Sequence, residues 1–464
     1  MVIGVFLALF TSFFQIAHKS FWFDEAFSIH LSSDWQYLLR ILWTSEANMW
    51  LYYFLLHFWL YLGQSEFIVR SLSALFAVLS IPITYLIGKK LFSKKVGTLA
   101  SLLMPLNVLF VFYSQEARSY SLLLLLSGLS TLFFLSLINK WKKTDAVFYV
   151  LVTALGLYTH LYMGFVILSH AAIFFITQKK KWKMILLFLL PILLALPMAI
   201  APSFHSSQTS WMQQPGFTGL IIVGIILTGD FPPLLAVYAA IFLKLFSRKK
   251  THEELYLWIM IVVPVAAAFI ISFIYKPLYQ PEYFISSLIP TVLLAAWYLT
   301  QFKKRWIKIT LLSAIFALSG IRLFGWYTGN SYLHTVIDNR NEEWREATVE
   351  ISSQYKPGDI TIFYTYYGVL PFQLYAGDKI PVFDISSSSY STSNLIPPQP
   401  DLNKIRSLKD IYKRVWFVIN HSEDKVEKQQ ERKAIQKELN KNYTLVKRQE
   451  FYKISVEEYI SSSP

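Results

Sequence analysis

Long apolar runs separated by short polar segments dominate the chain up to about residue 325. A helix needs about 20 apolar residues to cross a bilayer, and most of these runs approach that length. We therefore predict eleven spans: 2–17, 71–88, 96–113, a span ending near 139, 146–157, a span ending at 177, 184–202, 231–246, 255–275, 284–301 and 309–325. The aromatic-rich segments 34–43 and 48–62 are typical of interfacial helices, and 220–228 of a re-entrant piece.

The pattern changes after residue 326, where the chain becomes polar and alternates helix-like with strand-like segments. Alternation of this kind predicts a small α/β domain with a largely parallel sheet, closed here by a strand pair at 443–454. The expected fold is therefore a multi-pass α-helical membrane protein with a C-terminal α/β domain. Residues 1–326 would form the transmembrane domain and residues 327–464 the α/β domain.

Basic residues cluster in alternate loops between the predicted spans. Under the positive-inside rule these loops are cytoplasmic. The N-terminus is then cytoplasmic, and an odd number of spans puts the C-terminal domain outside the plasma membrane. The five clusters are Lys89, Lys90, Lys94 and Lys95; Lys140, Lys142 and Lys143; Lys179, Lys180, Lys181 and Lys183; Arg248, Lys249 and Lys250; and Lys303, Lys304, Arg305 and Lys308.

Composition agrees with a membrane protein and narrows its chemistry. Hydrophobic residues make up 54% of the chain and charged residues 16%, against about 25% charged in soluble proteins. The net charge of +14 lies largely beside the spans, where anionic headgroups account for it, so no nucleic-acid partner is predicted. The chain has no cysteine and no phosphate-cradling glycine motif, which argues against thiolate metal sites and an ATP-driven pump.

One pair of acidic residues, Asp24 and Glu25, follows the first span on the predicted outer face. Aromatic neighbours such as Trp22 and Phe27 would partly remove these carboxylates from water. A carboxylate in such a place can accept a proton from a substrate hydroxyl. The alternative is that both are ordinary loop acids.

Two further outer turns carry residues suited to binding. Arg118 could hold a phosphate through two parallel hydrogen bonds, with Glu116 maintaining its geometry, or the two could form only a local ion pair. Tyr158 and His160 lie in the next outer turn, where a structural role is the alternative for the histidine. No metal-ligand spacing such as HExxH is present, and a divalent metal stays open.

Several ordered motifs together resemble a known enzyme family. They are FWFDEAFSIHLSS, LYYFLLHFWLYLGQSEFIVRSLSALFAVLSIPITYLIGKKLF, LNVLFVFYSQEARSYSLLLLLS, LYTHLYMGF and NEEWREATVEISSQYKPGDITIFY. They are similar to the bacterial membrane glycosyltransferases of the protein-mannosyltransferase and aminoarabinose-transferase type, glycosyltransferase family 39. These enzymes have the GT-C fold.

The resemblance implies an activity and places residues in it. It implies a polyprenyl-phosphate sugar donor whose sugar passes, with inversion, to a hydroxyl of a lipid, glycan or protein acceptor on the outer face. The catalytic Asp of the family falls on Asp24, with Glu25 its usual neighbour, and the SQEAR motif falls on residues 114–118. No cofactor is implied.

Two positions depart from the family pattern. Residues 48–53 read Asn-Met-Trp-Leu-Tyr-Tyr where relatives carry His-Pro-Pro-Leu-Tyr-Tyr, and Glu282 stands where relatives tend to place an Arg. The missing Arg leaves Arg118 and Lys276 for the donor phosphate. The remaining substrate-binding candidates are Glu46, Tyr53, Glu116, Tyr158 and His160.

Two other classes of function compete with the transferase. A transporter or flippase of lipid-linked sugars would show paired repeats and helices broken near the bilayer midplane, and the hydropathy pattern shows neither. A degenerate, non-catalytic family member that scaffolds envelope assembly is the other alternative, because of the two departures.

Overall fold

The computed structural model describes residues 1–177, 182–202, 212–246, 250–333, 335–387, 400–420 and 426–462. Two compact units make up the chain: Met1–Ile16 with Asp34–Asn339, and Ala17–Ser33 with Arg340–Pro464. The second unit thus begins later than the predicted boundary at 326/327. It also includes part of the first loop, which hydropathy alone assigned to the transmembrane domain.

Helices form all the regular structure described before residue 340. In chain order they are α1 (Val2–Phe13), α2 (Phe23–Ser33), α3 (Trp35–Thr44), α4 (Trp50–Trp59), α5 (Glu66–Leu91), α6 (Lys94–Leu103), α7 (Val108–Ser114), α8 (Tyr120–Asn139), α9 (Lys143–Thr159), α10 (Met163–Thr177), α11 (Trp182–Leu194), α12 (Leu196–Ile200), α13 (Thr218–Leu227), α14 (Pro232–Phe242), α15 (His252–Ile274), α16 (Leu288–Gln301) and α17 (Arg305–Thr328). Of these, α2 belongs to the second unit.

The described helices confirm a membrane protein, and the number of crossings stays a prediction. Five segments are long and apolar enough to cross: α5, α8, α15, α17 and 281–301, which contains α16. Two bent pairs raise the number to seven, and four shorter apolar helices remain at Val2–Phe13, Trp50–Leu62, Met163–Ile176 and Met184–Leu194. Residues 179–181 and 248–249 of the predicted basic clusters lie outside the described residues.

The predicted third span, 96–113, is not continuous. Its two halves, Lys94–Leu106 and Val108–Ser114, meet at an angle of 65°. Asn107 lies at the break, where its Oδ1 accepts a hydrogen bond from the Leu109 amide at 2.8 Å and so caps α7. A side chain that satisfies an amide in this way lets a helix restart inside an apolar environment.

A second break lies beside the first. Helices α13 and α14 are bent by 86°, and Gly229 and Asp230 between them have φ of 116° and 54°. The Leu227 carbonyl at the end of α13 accepts a hydrogen bond of 2.9 Å from Asn107 Nδ2. Asn107 therefore satisfies backbone groups at both breaks, and the predicted re-entrant piece 220–228 is the first arm of a bent pair.

Asp230 forms a fully buried ion pair with Arg322 of α17, with 2.8 Å between Oδ2 and Nη2. The Asp230 carboxylate also accepts from the amides of Val336 and Ile337, at 2.9 and 3.0 Å. Arg322 donates in addition to Asn339 Oδ1 at 2.6 Å and to the Asp230 carbonyl at 3.2 Å. This network ties the second break to α17 and to the segment that ends the first unit.

Breaking the pair should destabilise the protein more than removing it. We expect Arg322→Leu or Asp230→Asn alone to lower the free energy of unfolding by about 3 to 5 kcal/mol, since each leaves a buried group without its partner. The double variant should cost less than the sum of the two. Unfolding in detergent micelles measures all three, and strictly additive costs would contradict the coupling.

The second unit is an α/β domain, as predicted, but its sheet is mixed and not largely parallel, because the C-terminal strand pair joins it antiparallel. After residue 340 it contains α18 (Trp344–Gln354), β1 (Asp359–Phe363), α19 (Val369–Ala376), β2 (Val382–Phe383), α20 (Leu402–Ser407), β3 (Arg414–Asn420), α21 (Val426–Leu439), β4 (Tyr443–Phe451) and β5 (Ile454–Ser461). The strand order is β2-β1-β3-β5-β4. The pairs β1–β2 and β1–β3 are parallel, and β5 runs antiparallel to β3 and β4.

Alternation along β3 explains why helices cover both faces of this sheet. Val415, Phe417 and Ile419 point into one apolar cluster, which includes residues of α20 and α21. Trp416 and Val418 point into another, which includes residues of α18 and α19. A strand buried on both faces is the usual centre of a three-layered α/β domain.

Candidate functional site

The SQEAR motif forms the turn between α7 and α8, and Arg118 lies at its end. The Arg118 amide donates to the Glu116 carbonyl at 2.8 Å, which closes the turn. Its guanidinium Nη1 donates to the Tyr53 hydroxyl at 3.2 Å. Glu116 is buried and Arg118 half-buried, so the turn presents a cation at the edge of a dry interior. The structure thus brings three of the predicted site residues, Tyr53, Glu116 and Arg118, into one neighbourhood.

A second residue of the motif, Gln115, contacts the end of α1. Its Nε2 donates to the carbonyls of Ser12 and Phe14, at 3.2 and 2.8 Å. Its Oε1 accepts from the indole of Trp326 at 3.0 Å. Although Gln115 belongs to the SQEAR motif, the sequence predicted no role for it, and the structure shows that it links the Arg118 turn to the first helix.

A cluster of tyrosine rings surrounds His160 next to this turn. The rings of Tyr113 and Tyr120 lie 4.1 Å apart between centroids, and that of Tyr120 lies 5.8 Å from Tyr283. His160 lies 5.0 Å from Tyr283 and 5.7 Å from Tyr120. Of these tyrosines, Tyr113 and Tyr120 flank the SQEAR motif in sequence, and that position is the signal that could have identified them.

His160 is held as a neutral donor. Its Nδ1 accepts from the Tyr162 amide at 3.1 Å, so the proton is assigned to Nε2. Burial, and to a lesser extent the charge of Arg118, lowers the pKa of His160 to about 3. Nε2 is buried and has no hydrogen-bond partner among the described residues. A ligand oxygen that entered the cluster could accept this proton in a hydrogen bond.

The segment 48–53, which departs from the family pattern, contacts the turn that carries His160. Asn48 Oδ1 accepts from the Leu161 amide at 3.2 Å, next to His160. Met49 has a φ of 65°, in the left-handed region. Glu46 stabilises the approach to this bend, since its Oε1 accepts from the Asn48 amide at 3.1 Å. The described hydrogen bonds of Glu46 are therefore local.

Two predicted site residues have their described contacts elsewhere. The hydroxyl of Tyr158 donates to the Leu194 carbonyl at 3.0 Å. Lys276 Nζ lies 5.6 Å from the ring of Tyr275, a residue that is 77% exposed. Neither residue has a described contact with the Arg118 turn or the tyrosine cluster, and we leave both out of the proposed site.

Asp24 and Glu25 belong to the second unit, in the first turn of α2. Glu25 is fully buried and Asp24 half-buried. The Asp24 carbonyl accepts from the Ser28 hydroxyl at 2.8 Å, and the ring of Phe23 packs on Tyr367 at 4.7 Å. A helix N-terminus favours negative charge, so the fold supports a carboxylate here. Within the described residues, no three His, Asp or Glu side chains lie close enough to hold a metal ion.

Comparisons with known proteins agree with this architecture. Residues 49–205 match the sequence model of the family described as dolichyl-phosphate-mannose-protein mannosyltransferase. The crystal structure of ArnT from Cupriavidus metallidurans in the apo state superposes with a TM-score of 0.65 at 13% identity, covering 98% of this chain and 97% of ArnT. The chain has the GT-C fold. No curated protein matches it in sequence.

Other GT-C structures extend the comparison. The crystal structure of ArnT bound to undecaprenyl phosphate matches with a TM-score of 0.65 at 12% identity, over 99% of this chain and 98% of ArnT. The Archaeoglobus fulgidus oligosaccharyltransferase in complex with Zn and sulfate matches with a TM-score of 0.56 at 12% identity, over 90% of this chain and 67% of that enzyme. The resemblance noted in the sequence to GT-C membrane glycosyltransferases is confirmed.

The neutral state of His160 predicts a dependence of stability on pH. The unfolded chain accepts a proton near the ordinary pKa of 6.5, whereas the folded protein resists it down to about 3. The contribution of His160 is therefore complete above pH 6.5 and is lost as the pH falls below that value. We expect the Tm in detergent to fall between pH 7 and 5, and to fall less in His160→Gln. Equal declines would contradict the assignment.

Proposed function

We propose that this protein transfers a sugar from a polyprenyl-phosphate donor to an acceptor hydroxyl on the outer face of the membrane, with inversion. One observation carries the proposal. The segment that matches the mannosyltransferase family, 49–205, contains Tyr53, Arg118 and His160, which the fold brings into one neighbourhood. Likeness to an ArnT bound to undecaprenyl phosphate supports the lipid-phosphate part of the donor.

The proposed reaction is a single displacement. Asp24 takes the proton of the acceptor hydroxyl while the oxygen of that hydroxyl attacks the anomeric carbon of the donor sugar. The bond from that carbon to the phosphate oxygen breaks, and polyprenyl phosphate leaves with the electron pair. The attack comes from the face opposite the phosphate, so the configuration inverts. A phosphate is a good leaving group, and the enzyme needs mainly a base and a cation.

Arg118 and His160 suit the phosphate end of this reaction. The guanidinium can give two parallel hydrogen bonds to phosphate oxygens, and its contact with Tyr53 orients it. The His160 Nε2 proton supplies a neutral donor beside it. Glu116, buried within the same turn, maintains the turn, and the buried Glu25 supports Asp24 on the acceptor side.

A transporter of lipid-linked sugars is the second candidate, and the two broken helices favour it. Transporters use the carbonyls freed at such breaks to bind ions. Here the Leu227 carbonyl already accepts a hydrogen bond from Asn107, and the Asp230 carbonyl accepts one from Arg322. Because both carbonyls are occupied by side chains, we favour the transferase. A transporter would leave the sugar–phosphate bond of the donor intact, and release of free polyprenyl phosphate distinguishes the two.

The phosphate role of Arg118 is tested by keeping its charge and changing its shape. Arg118→Lys loses the bidentate geometry, and we expect donor binding to weaken by about 1.5 to 3 kcal/mol, or about tenfold or more. Titration of purified protein with polyprenyl-phosphate sugars measures the Kd. Arg40→Lys is the matched control, since Arg40 is exposed in the same unit. Unchanged affinity in Arg118→Lys would favour a purely structural role.

The base role is tested at Asp24. Asp24→Asn keeps the size of the side chain and removes the basic oxygen, so turnover should fall about a hundredfold or more while donor binding persists. Glu25→Gln should cost less, because a neighbour that only supports the base is partly replaceable. The measurement is release of polyprenyl phosphate from a panel of polyprenyl-phosphate sugars.

Asp34→Asn provides the matched control for Asp24→Asn. Asp34 caps α3 through a 2.6 Å hydrogen bond from the Tyr37 amide, and asparagine caps helices equally well. This control should keep full activity. Near wild-type turnover in Asp24→Asn would show that another group takes the proton.

A further inference from the structure

The segment that leads into α2 is held by side chains of the second unit. Arg345 of α18 donates through Nη2 to the His18 carbonyl at 2.7 Å and through Nη1 to the Ala17 carbonyl at 3.4 Å. These carbonyls belong to irregular chain just ahead of the helix that carries Asp24. A charged donor thus satisfies backbone groups that secondary structure leaves open.

Ser20, the next anchored residue, is buried and hydrogen-bonded on three sides. Its hydroxyl donates to Glu346 Oε2 at 2.7 Å and accepts from the Arg345 amide at 3.4 Å. Its carbonyl accepts from Asn341 Nδ2 at 3.2 Å. These three partners lie in α18 or just before it, more than 300 residues away in sequence.

Tyr375 of α19 provides the last anchor before the helix. Its hydroxyl accepts from the Phe21 amide at 2.7 Å, and the two rings lie 6.2 Å apart. Phe21 is buried and lies three residues before Asp24. Loss of this hydrogen bond would shift the start of α2 and, with it, the direction of the Asp24 side chain.

The residues that precede this segment, 11–16, are held in turn by side chains of the first unit. Tyr327 donates to the Thr11 carbonyl at 2.6 Å, Gln115 donates to Phe14, and Arg70 donates to the Ile16 carbonyl at 2.8 Å. From residue 11 to residue 21, side chains therefore bind the backbone at repeated intervals. Such density of anchoring is unusual for a loop, whose polar groups are generally left to water.

We infer that Tyr375 and Arg345 are positioning residues that set the geometry of Asp24, so the C-terminal α/β unit takes part in catalysis. This inference rests on the proposed function, in which Asp24 is the base. A base must lie within hydrogen-bond reach of its proton, and a displacement of about 1 Å can cost about a hundredfold in rate. The anchored residues lie just before α2, so a small displacement of their backbone moves the whole first turn of that helix.

The decisive variant is Tyr375→Phe, which keeps the ring and removes the oxygen that accepts from Phe21. We expect kcat for polyprenyl phosphate release to fall about tenfold, with KM for the donor unchanged within about twofold. Hydrogen exchange of the amides in residues 17–24 should become faster. Arg345→Lys keeps the charge but loses the fork, and it should shift both measurements in the same direction.

Tyr355→Phe is the matched control. Tyr355 packs against the second apolar cluster of the same unit, and its hydroxyl has no hydrogen-bond partner among the described residues. The control should leave kcat and exchange at wild-type values. Unchanged exchange in Tyr375→Phe, or faster exchange with unchanged kcat, would overturn the inference. If wild-type protein releases no polyprenyl phosphate from any donor, the proposed function fails and the catalytic role falls with it, while the exchange data still report whether the anchor exists.

Discussion

The need to satisfy backbone polar groups away from water governs the first unit. Where a helix breaks among apolar helices, its freed amides and carbonyls cost several kcal/mol unless something binds them. Asn107 binds backbone groups at both breaks, and Arg322, paired with Asp230, also binds the Asp230 carbonyl at the second. The bent helices are therefore stable parts of the fold. The route of the chain to Asn339 depends on the same ion-pair network.

The second unit solves a different problem, that of holding an irregular segment in one conformation. Its sheet is buried on both faces and gives α18 and α19 a rigid base. These helices present Arg345, Glu346 and Tyr375 to the backbone of residues 17–21. A loop that charged and hydroxyl groups on rigid helices already hold in place loses little further conformational entropy during the reaction. That is the advantage of preorganisation.

Patterns of apolar and polar residues along the sequence predicted local structure well, but they did not predict long-range contacts. Segments 34–43 and 48–62 correspond to α3 and α4, and the alternation after residue 340 became the α/β sheet. The break at Asn107 was missed because apolar residues continue on both sides and one asparagine does not alter the hydropathy. Residues 17–33 group with the C-terminal unit through contacts between residues over 300 positions apart, such as the hydrogen bond from Phe21 to Tyr375, and no periodicity encodes such contacts.

The bend at Met49 changes how the departure from the His-Pro-Pro pattern is understood. A proline has its φ locked near −65°, and Met49 has a φ of 65°. A chain with proline at this position could not follow the same path, so the difference is one of backbone shape as well as of side chains. The replacement and the reach of Asn48 to Leu161 form a single structural solution. An exchange of this segment with a proline-bearing relative would have to carry the partner turn at residues 160–162 along with it.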